Sequence, residues 1–126
     1  MTARFNHGTG NWTDYRRQFP GIHEVDFHYG SQRHLPWHER VPFERLMERA
    51  YADALAALQA AQAAGKDWLM LTHGASTSGP GQKSARSVIR GLMRSAAATP
   101  YIVRSECIQH ETVFIARIKA RPEVKV

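Results

Sequence analysis

Residues 68–91 read WLMLTHGASTSGPGQKSARSVIRG, and their pattern decides the fold class of the chain. The apolar run at the start is bounded by charge and by glycine, which predicts a short strand covered on both faces of a sheet. A loop of glycine and hydroxyl residues follows, and apolar positions at steps of three and four then predict a helix that ends before Pro100. A strand, a loop and a helix in this order are typical of an α/β protein.

The residues before this stretch predict another strand and another helix. IHEVDFHYG, residues 22–30, favours a strand and ends in glycine, so we expect a first strand there. Apolar residues then recur at helical spacing from Phe43 to Ala61. Pro42 is expected to lie in the first turn of this helix, where proline is tolerated, and the helix is expected to stop near Gly65.

The residues after Pro100 predict a closing hairpin. YIVRSECI, residues 101–108, and TVFIARIK, residues 112–119, are separated by QHE, and both runs favour strands. The complete order is therefore β, α, β, α, β, β. We predict a two-layer βαβαββ sandwich on a mixed four-stranded sheet, whose first pair of strands is parallel and whose hairpin adds an antiparallel edge.

The 126 residues are enough for one domain with its own core. We predict an N-terminal arm at residues 1–20, a domain at residues 21–120 and a tail at residues 121–126. The arm has no regular period but carries four aromatic residues, which either pack on the core or stack on nucleic-acid bases, and packing is the commoner fate. These residues are Phe5, Trp12, Tyr15 and Phe19.

Charge and composition favour an acidic partner inside the cell. Lys and Arg number 17 against 11 Asp and Glu, and the resulting net charge of +6 favours nucleic acid. A single cysteine cannot form an internal disulfide. No secretory leader and no apolar run of membrane-spanning length is apparent, so we expect a cytoplasmic protein that does not enter a membrane.

Two predicted strand ends carry residues suited to chemistry. Asp26 and His28 stand at the end of the first strand, and His73 and Gly74 at the end of the second. The carboxyl ends of parallel strands meet at one edge of a sheet, so we expect these residues to converge. A histidine transfers protons to or from an attacked phosphodiester, and a carboxylate orients the histidine or holds a divalent cation. The alternative is that these polar side chains only satisfy loop backbone.

The loop and helix after His73 are suited to phosphate. Backbone N–H groups, hydroxyls and a lysine precede a helix N-terminus, and arginines recur every four residues along one side of that helix. A nucleotide-binding P-loop is excluded because Gln82, not glycine, precedes the lysine. The alternatives are a flexible loop with capping hydroxyls and a merely solvated helix face. The predicted phosphate-binding residues are Gly74, Ser76, Thr77, Ser78, Gly79, Gly81, Lys83, Ser84, Arg86, Arg90 and Arg94.

The sequence indicates neither a metal centre nor a reactive thiol. His34 and His38 are four residues apart, but neither a cysteine pair nor an HExxH sequence accompanies them, so we assign no metal ligand. Cys107 lies within a predicted strand with no nearby cue for a thiolate, so we expect it to pack in the core.

Two stretches match, in place, the signatures of a known family. VDFHYG, residues 25–30, resembles a first-strand LDLHG motif, and THGASTSGPG, residues 72–81, resembles an HGxG loop that leads into a helix. Over roughly residues 22–119 the chain therefore resembles the Smr (small MutS-related) domain. It departs from the family at Tyr29, inserted before the glycine, and at Ser76, where the second motif has glycine.

The resemblance implies a fold similar to the C-terminal domain of bacterial translation initiation factor three, and it implies binding or nicking of DNA or RNA. Some family members cleave messenger RNA on stalled ribosomes, so the ribosome is an implied partner beside nucleic acid. The resemblance also places Asp26 and His28 in the roles of the first motif's acidic and histidine residues, and His73 and Gly74 at the head of the second motif.

We therefore expect a nucleic-acid-binding domain that acts as an endonuclease, with His73 as general acid or base. In this hypothesis Asp26 and His28 orient water, the histidine or a divalent cation such as Mg²⁺ or Mn²⁺, while Lys83 and the loop amides stabilise charge on the phosphate. Two alternatives stay open: a non-catalytic RNA- or ribosome-binding module, and a protein–protein adaptor. No oligomeric state follows from the sequence.

Overall fold

The computed structural model describes residues 5–27, 36–39, 41–74 and 84–121, apart from the side chain of Phe43. The predicted α/β class is confirmed: helices pack on a mixed sheet, and the order strand, helix, strand, helix, strand, strand runs from residue 23 onwards. In the described residues the strands and helices are β1 Asn6–His7, α1 Tyr15–Gln18, β2 His23–Asp26, α2 Phe43–Ala63, β3 Trp68–Thr72, α3 Ala85–Arg94, β4 Ile108–Gln109 and β5 Val113–Arg117.

The sheet has five strands in the order β1-β4-β5-β3-β2, so the prediction of four strands is wrong. β2 lies parallel to β3 as expected, and β5 pairs antiparallel with both β3 and β4. The fifth strand comes from the N-terminal arm, where the N–H groups of Asn6 and Gly8 donate to the backbone oxygens of Cys107 and Gln109, each at 2.9 Å. A two-residue strand is too short to leave an alternating pattern in the sequence.

One face of the sheet is covered by α2 and α3. Side chains alternate along a strand, and accordingly Leu69 and Leu71 of β3 enter the core beneath the helices while Met70 points to the opposite face. All three are fully buried, which confirms that β3 is covered on both faces. The helices contribute apolar positions at the predicted spacing, including Leu58 of α2 and Ile89 of α3.

The N-terminal arm covers the other face. Tyr15 is 7% exposed and packs with Met70, Val113 and Ile115, and the rings of Phe19 and Trp68 lie 4.4 Å apart between centroids. The aromatic residues of the arm therefore pack on the core, the commoner of the two fates considered from the sequence.

The ends of both long helices are fixed by local chemistry. α2 ends before Gly65, whose φ of +69° is a conformation that glycine adopts without strain. At the end of α3, the Arg104 side chain donates to the backbone oxygens of Met93 and Ser95, at 2.9 and 2.6 Å. These bonds satisfy carbonyl groups that the last turn of a helix leaves unpaired.

The first half of the predicted closing hairpin is not a continuous strand. Ile102 forms an isolated bridge with Ile118, the chain then makes a 3-10 turn at Arg104–Glu106, and β4 begins only at Ile108. Because the chain turns here, the Arg104 side chain reaches the end of α3, where it forms the hydrogen bonds described above. Cys107 therefore lies just before a strand, not within one, but it is fully buried, and burial raises the pKa of its thiol to about 11.

The helices of the described residues carry no membrane span. Over the ranges described above, none of them combines the length and the apolar character that crossing a bilayer requires.

Candidate nucleic-acid interface

The structure brings the ends of β2 and β3 side by side. Asp26 is the register partner of Thr72, and the N–H of Phe27 donates to the Thr72 oxygen at 2.7 Å. His73 follows directly, so the two predicted strand ends do meet at one edge of the sheet. His28, the other histidine assigned to this edge from the sequence, lies outside the described residues.

Asp26 and His73 nevertheless point to opposite faces. Val25 and Phe27 pack in the core beneath the helices, so Asp26 between them faces the arm, as does Glu24, which pairs with Arg16 of α1. The charged groups that shift the pKa of the His73 ring lie on other elements, and Asp26 is not one of them. The structure therefore does not place the Asp26 carboxylate where it orients His73.

His73 is buried, with only 6% of its surface exposed. Its Nδ1 lies 2.7 Å from the backbone oxygen of Gly74, and because that oxygen only accepts, Nδ1 carries the proton and donates. Nε2 is then an unprotonated acceptor, and it is buried without a hydrogen-bond partner among the described residues. The segment is held by the oxygen of Thr112, which accepts from the N–H groups of both His73 and Gly74.

Burial and neighbouring cations keep this ring neutral. Loss of solvent lowers the pKa of His73 to about 4, the bond to Gly74 opposes that shift, and the charges of Arg90 and Arg86 favour it. Near neutral pH this ring carries a single proton, which Nδ1 donates to the Gly74 oxygen, so Nε2 has no proton to donate. The Nε2 atom is therefore chemically able to accept a proton near neutral pH but not to donate one.

The predicted arginine row lies along one side of α3, beside the turn between β4 and β5. Arg90, in the middle, donates to the backbone oxygen of His110 at 3.2 Å, and Arg94 reaches the Gln109 side chain at 3.4 Å. Arg86 lies close enough to His73 and Arg90 to lower the pKa of both. No sequence pattern indicates that Gln109 and His110 contact the arginine row, because both contacts depend on how the hairpin packs against the helix.

The three arginines concentrate positive charge that the described part of the chain does not neutralise. Burial lowers the pKa of Arg90, the charges of Arg86 and Arg94 lower it further, and Glu111 opposes them. No ion pair joins any of the three to a carboxylate within residues 84–121 or the other described ranges. The Nε of Arg90 is buried without a hydrogen-bond partner in the same ranges. Such a row is an expected place for an anionic ligand.

Ser84, predicted to bind phosphate, is used as a helix cap. Its hydroxyl accepts from the N–H of Ser87 at 3.2 Å, while the Ser87 hydroxyl bonds to the backbone N–H and oxygen of Ser84. This reciprocal pair satisfies groups that the first turn of α3 leaves unpaired, and it matches the alternative in which hydroxyls cap the helix. The remaining predicted loop residues lie outside the described part of the chain: Ser76, Thr77, Ser78, Gly79, Gly81 and Lys83.

Within the described residues, no three His, Cys, Asp or Glu side chains converge as ligands for a metal ion. His38 lies in a short 3-10 turn, Trp37–Glu39, and His34 lies outside the described ranges. We therefore assign no ligand for Mg²⁺ or Mn²⁺.

Comparisons with protein-family models, with curated proteins and with solved structures find no match to this chain. The resemblance to Smr domains thus stays a prediction from the two motifs.

Proposed function

We propose that this protein binds nucleic acid through its sugar–phosphate backbone, with the arginine row of α3 as the contact surface. One observation carries the proposal: Arg86, Arg90 and Arg94 stand side by side, and none forms an ion pair with a carboxylate within the described residues. Like charges held together in this way repel one another, and an anion with several charges relieves that repulsion.

The dimensions of the row suit a polyanion. Eight residues separate Arg86 from Arg94, which is about 12 Å along a helix axis. Phosphates of one strand of duplex DNA rise about 3.4 Å each along its axis, so the row spans three or four of them. The net charge of +6 favours the same partner. The two Smr-like motifs support the same class of ligand.

Binding is tested by fluorescence anisotropy with labelled single-stranded RNA and with labelled duplex DNA, each at low salt. The variant Arg86→Gln/Arg94→Gln removes the two outer charges and leaves Arg90, which also holds the β4–β5 turn. We expect it to bind at least about tenfold more weakly.

The control is Arg45→Gln/Arg49→Gln, because it removes the same number of positive charges from two exposed arginines of another helix, α2. We expect the control to bind like the wild type. Equal affinity of the two double variants would contradict the proposal, and absence of binding by the wild type to either nucleic acid would favour the adaptor hypothesis instead.

Cleavage of the bound nucleic acid is a second candidate function, favoured by one observation. The Nε2 of His73 is an unprotonated acceptor near Arg86 and Arg90, an arrangement suited to accepting a proton beside a phosphate. We rank it below binding because that atom is buried and because Asp26 faces the other side of the sheet.

Cleavage is tested by incubating wild type and His73→Ala with supercoiled DNA and with labelled RNA, with Mg²⁺, with Mn²⁺ and with a chelator. Nicking by the wild type alone would make this an endonuclease that depends on His73. Equal cleavage by both proteins would assign the activity elsewhere, and retention without cleavage would leave a binding module.

A further inference from the structure

A groove runs between α2 and α3, on a different side of α3 from the arginine row. It encloses about 570 Å³, and its floor is apolar, formed largely by Met47 of α2 with Val88 and Leu92 of α3. Tyr51 stands at its wall with 41% of its surface exposed, one of two large hydrophobic residues so exposed in the described part of the chain. A cavity of this size lies in the range that binds side chains or ligands of moderate size.

Gly91 lines this groove and has no structural reason to be glycine within the described chain. It lies in the middle of α3, its φ is not positive, and a Cβ added there meets nothing within 4 Å. Glycine inside a helix destabilises it relative to alanine. An exposed helical glycine at which an added Cβ meets nothing leaves room for another molecule to approach the backbone closely.

The groove is acidic on a protein that is basic overall. Glu44 and Glu48, one helical turn apart on α2, both line it, and neither forms an ion pair with the described residues. Like charges at this spacing repel each other along a helix surface. The net charge of the chain is +6, so this acidic pair is opposite in sign to the chain as a whole.

We propose that the groove binds a basic amphipathic helix of a partner protein. The partner's apolar side chains lie over Gly91, between Tyr51 and Val88, and its lysine or arginine side chains pair with Glu44 and Glu48. Grooves between two packed helices accept the apolar face of a third helix in this way. Nucleic acid is disfavoured here because its phosphates meet two carboxylates.

The probe is a short fluorescein-labelled peptide of leucine and lysine, patterned as an amphipathic helix, with a leucine–glutamate peptide of the same pattern as its counterpart. Fluorescence anisotropy measures its binding to the full chain. Gly91→Met fills the groove, and we expect it to weaken binding of the basic peptide at least about tenfold. Since methionine forms helices better than glycine, loss of the fold is not the expected cause, and thermal unfolding of the variant verifies this.

The charge test uses Glu44→Lys/Glu48→Lys, which we expect to weaken the basic peptide about five- to tenfold and to improve binding of the acidic peptide. Asp53→Lys is the control, because Asp53 is exposed on α2 but does not line the groove. Equal binding by wild type and Gly91→Met, or no binding by the wild type, would overturn the proposal. A dimer that dissociates in Gly91→Met would also overturn it, by making a second copy the occupant.

Discussion

The guanidinium group of Arg90 donates a hydrogen bond to the backbone oxygen of His110, 3.2 Å away. His110 is itself fixed on two sides, because its Nδ1 accepts from the N–H of Thr112 and its Nε2 lies 2.7 Å from the oxygen of Gly10 in the arm. The ring of Tyr15 packs edge-on against the same histidine. A chain of contacts therefore connects the N-terminal arm, through the β4–β5 turn, to the middle of the arginine row.

The arm is expected to contribute to stability through Tyr15. Replacing this buried ring by alanine opens a cavity against Met70 and Val113 and lowers the free energy of unfolding by about 3 kcal/mol. Tyr51→Ala is the control, since that ring is 41% exposed and its loss is expected to cost well under half as much. Urea unfolding of both variants checks this, and a loss for Tyr15→Ala as small as the one expected for Tyr51→Ala would contradict a stabilising role of the arm.

His73 is expected to make stability depend on pH. Its folded pKa of about 4 lies below the ordinary value near 6.5, so the unfolded chain binds a proton in this window that the native chain does not. The free energy of unfolding therefore falls as pH drops from about 6.5 to about 4, by at most about 3 kcal/mol, and this contribution is constant above pH 6.5.

The measurement is urea unfolding of wild type and His73→Asn across this range of pH. Asparagine retains a donor for the Gly74 oxygen but does not titrate, so the variant is expected to lose less stability than the wild type as pH falls. Parallel pH profiles for the two proteins would show that His73 is not held neutral by the fold.

The environment of His73 is expected to respond to Arg86 and not to Asp26. Removing a nearby positive charge favours the protonated ring, so Arg86→Gln raises the pKa of His73. Asp26→Asn leaves it unchanged, because that carboxylate faces the arm on the other side of the sheet. NMR titration of the His73 ring protons distinguishes the two, and a fall in the pKa on Asp26→Asn would place the carboxylate beside the ring after all.

Gly91 and Gly65 differ in backbone conformation, so replacing each by alanine is expected to change the stability in opposite directions. Gly91→Ala is expected to stabilise the protein by about 0.5–1 kcal/mol, because alanine fits the helix and its Cβ meets nothing. Gly65→Ala, at a φ of +69°, is expected to destabilise it by about 1 kcal/mol. Thermal unfolding compares them, and a destabilising Gly91→Ala would reveal a packing role for that glycine within the chain.

Much of the fold is predictable from local sequence patterns, such as the spacing of apolar residues and the position of glycine. The apolar spacing of α2, its end at Gly65 and the double burial of β3 all depend on sequence-local rules, and each is present as predicted. The fifth strand was missed because a two-residue strand is defined by its partner. The break before β4 was missed because it depends on Arg104 reaching across to α3.

The candidate site likewise has features that local sequence patterns predict and features that they do not. The four-residue spacing of the arginines fixed them on one side of a helix, and the structure has them there. It was not predicted from the sequence that Asp26 and His73 face opposite sides of the sheet, although the alternation of side chains in β2 indicates it. Val25 and Phe27 are apolar and enter the core, so Asp26 between them faces away from that core. The depressed pKa of His73 depends on tertiary burial, which no local pattern records.

The most direct test of the central claim is the salt dependence of nucleic-acid binding. For the wild type, the logarithm of the association constant should fall linearly with the logarithm of salt concentration, by about 0.7–0.9 for each phosphate contacted. Arg86→Gln/Arg94→Gln should make that slope shallower by about 1.4–1.8, while Arg45→Gln/Arg49→Gln should leave it as in the wild type. An unchanged slope in the α3 variant would show that phosphates do not lie on the arginine row.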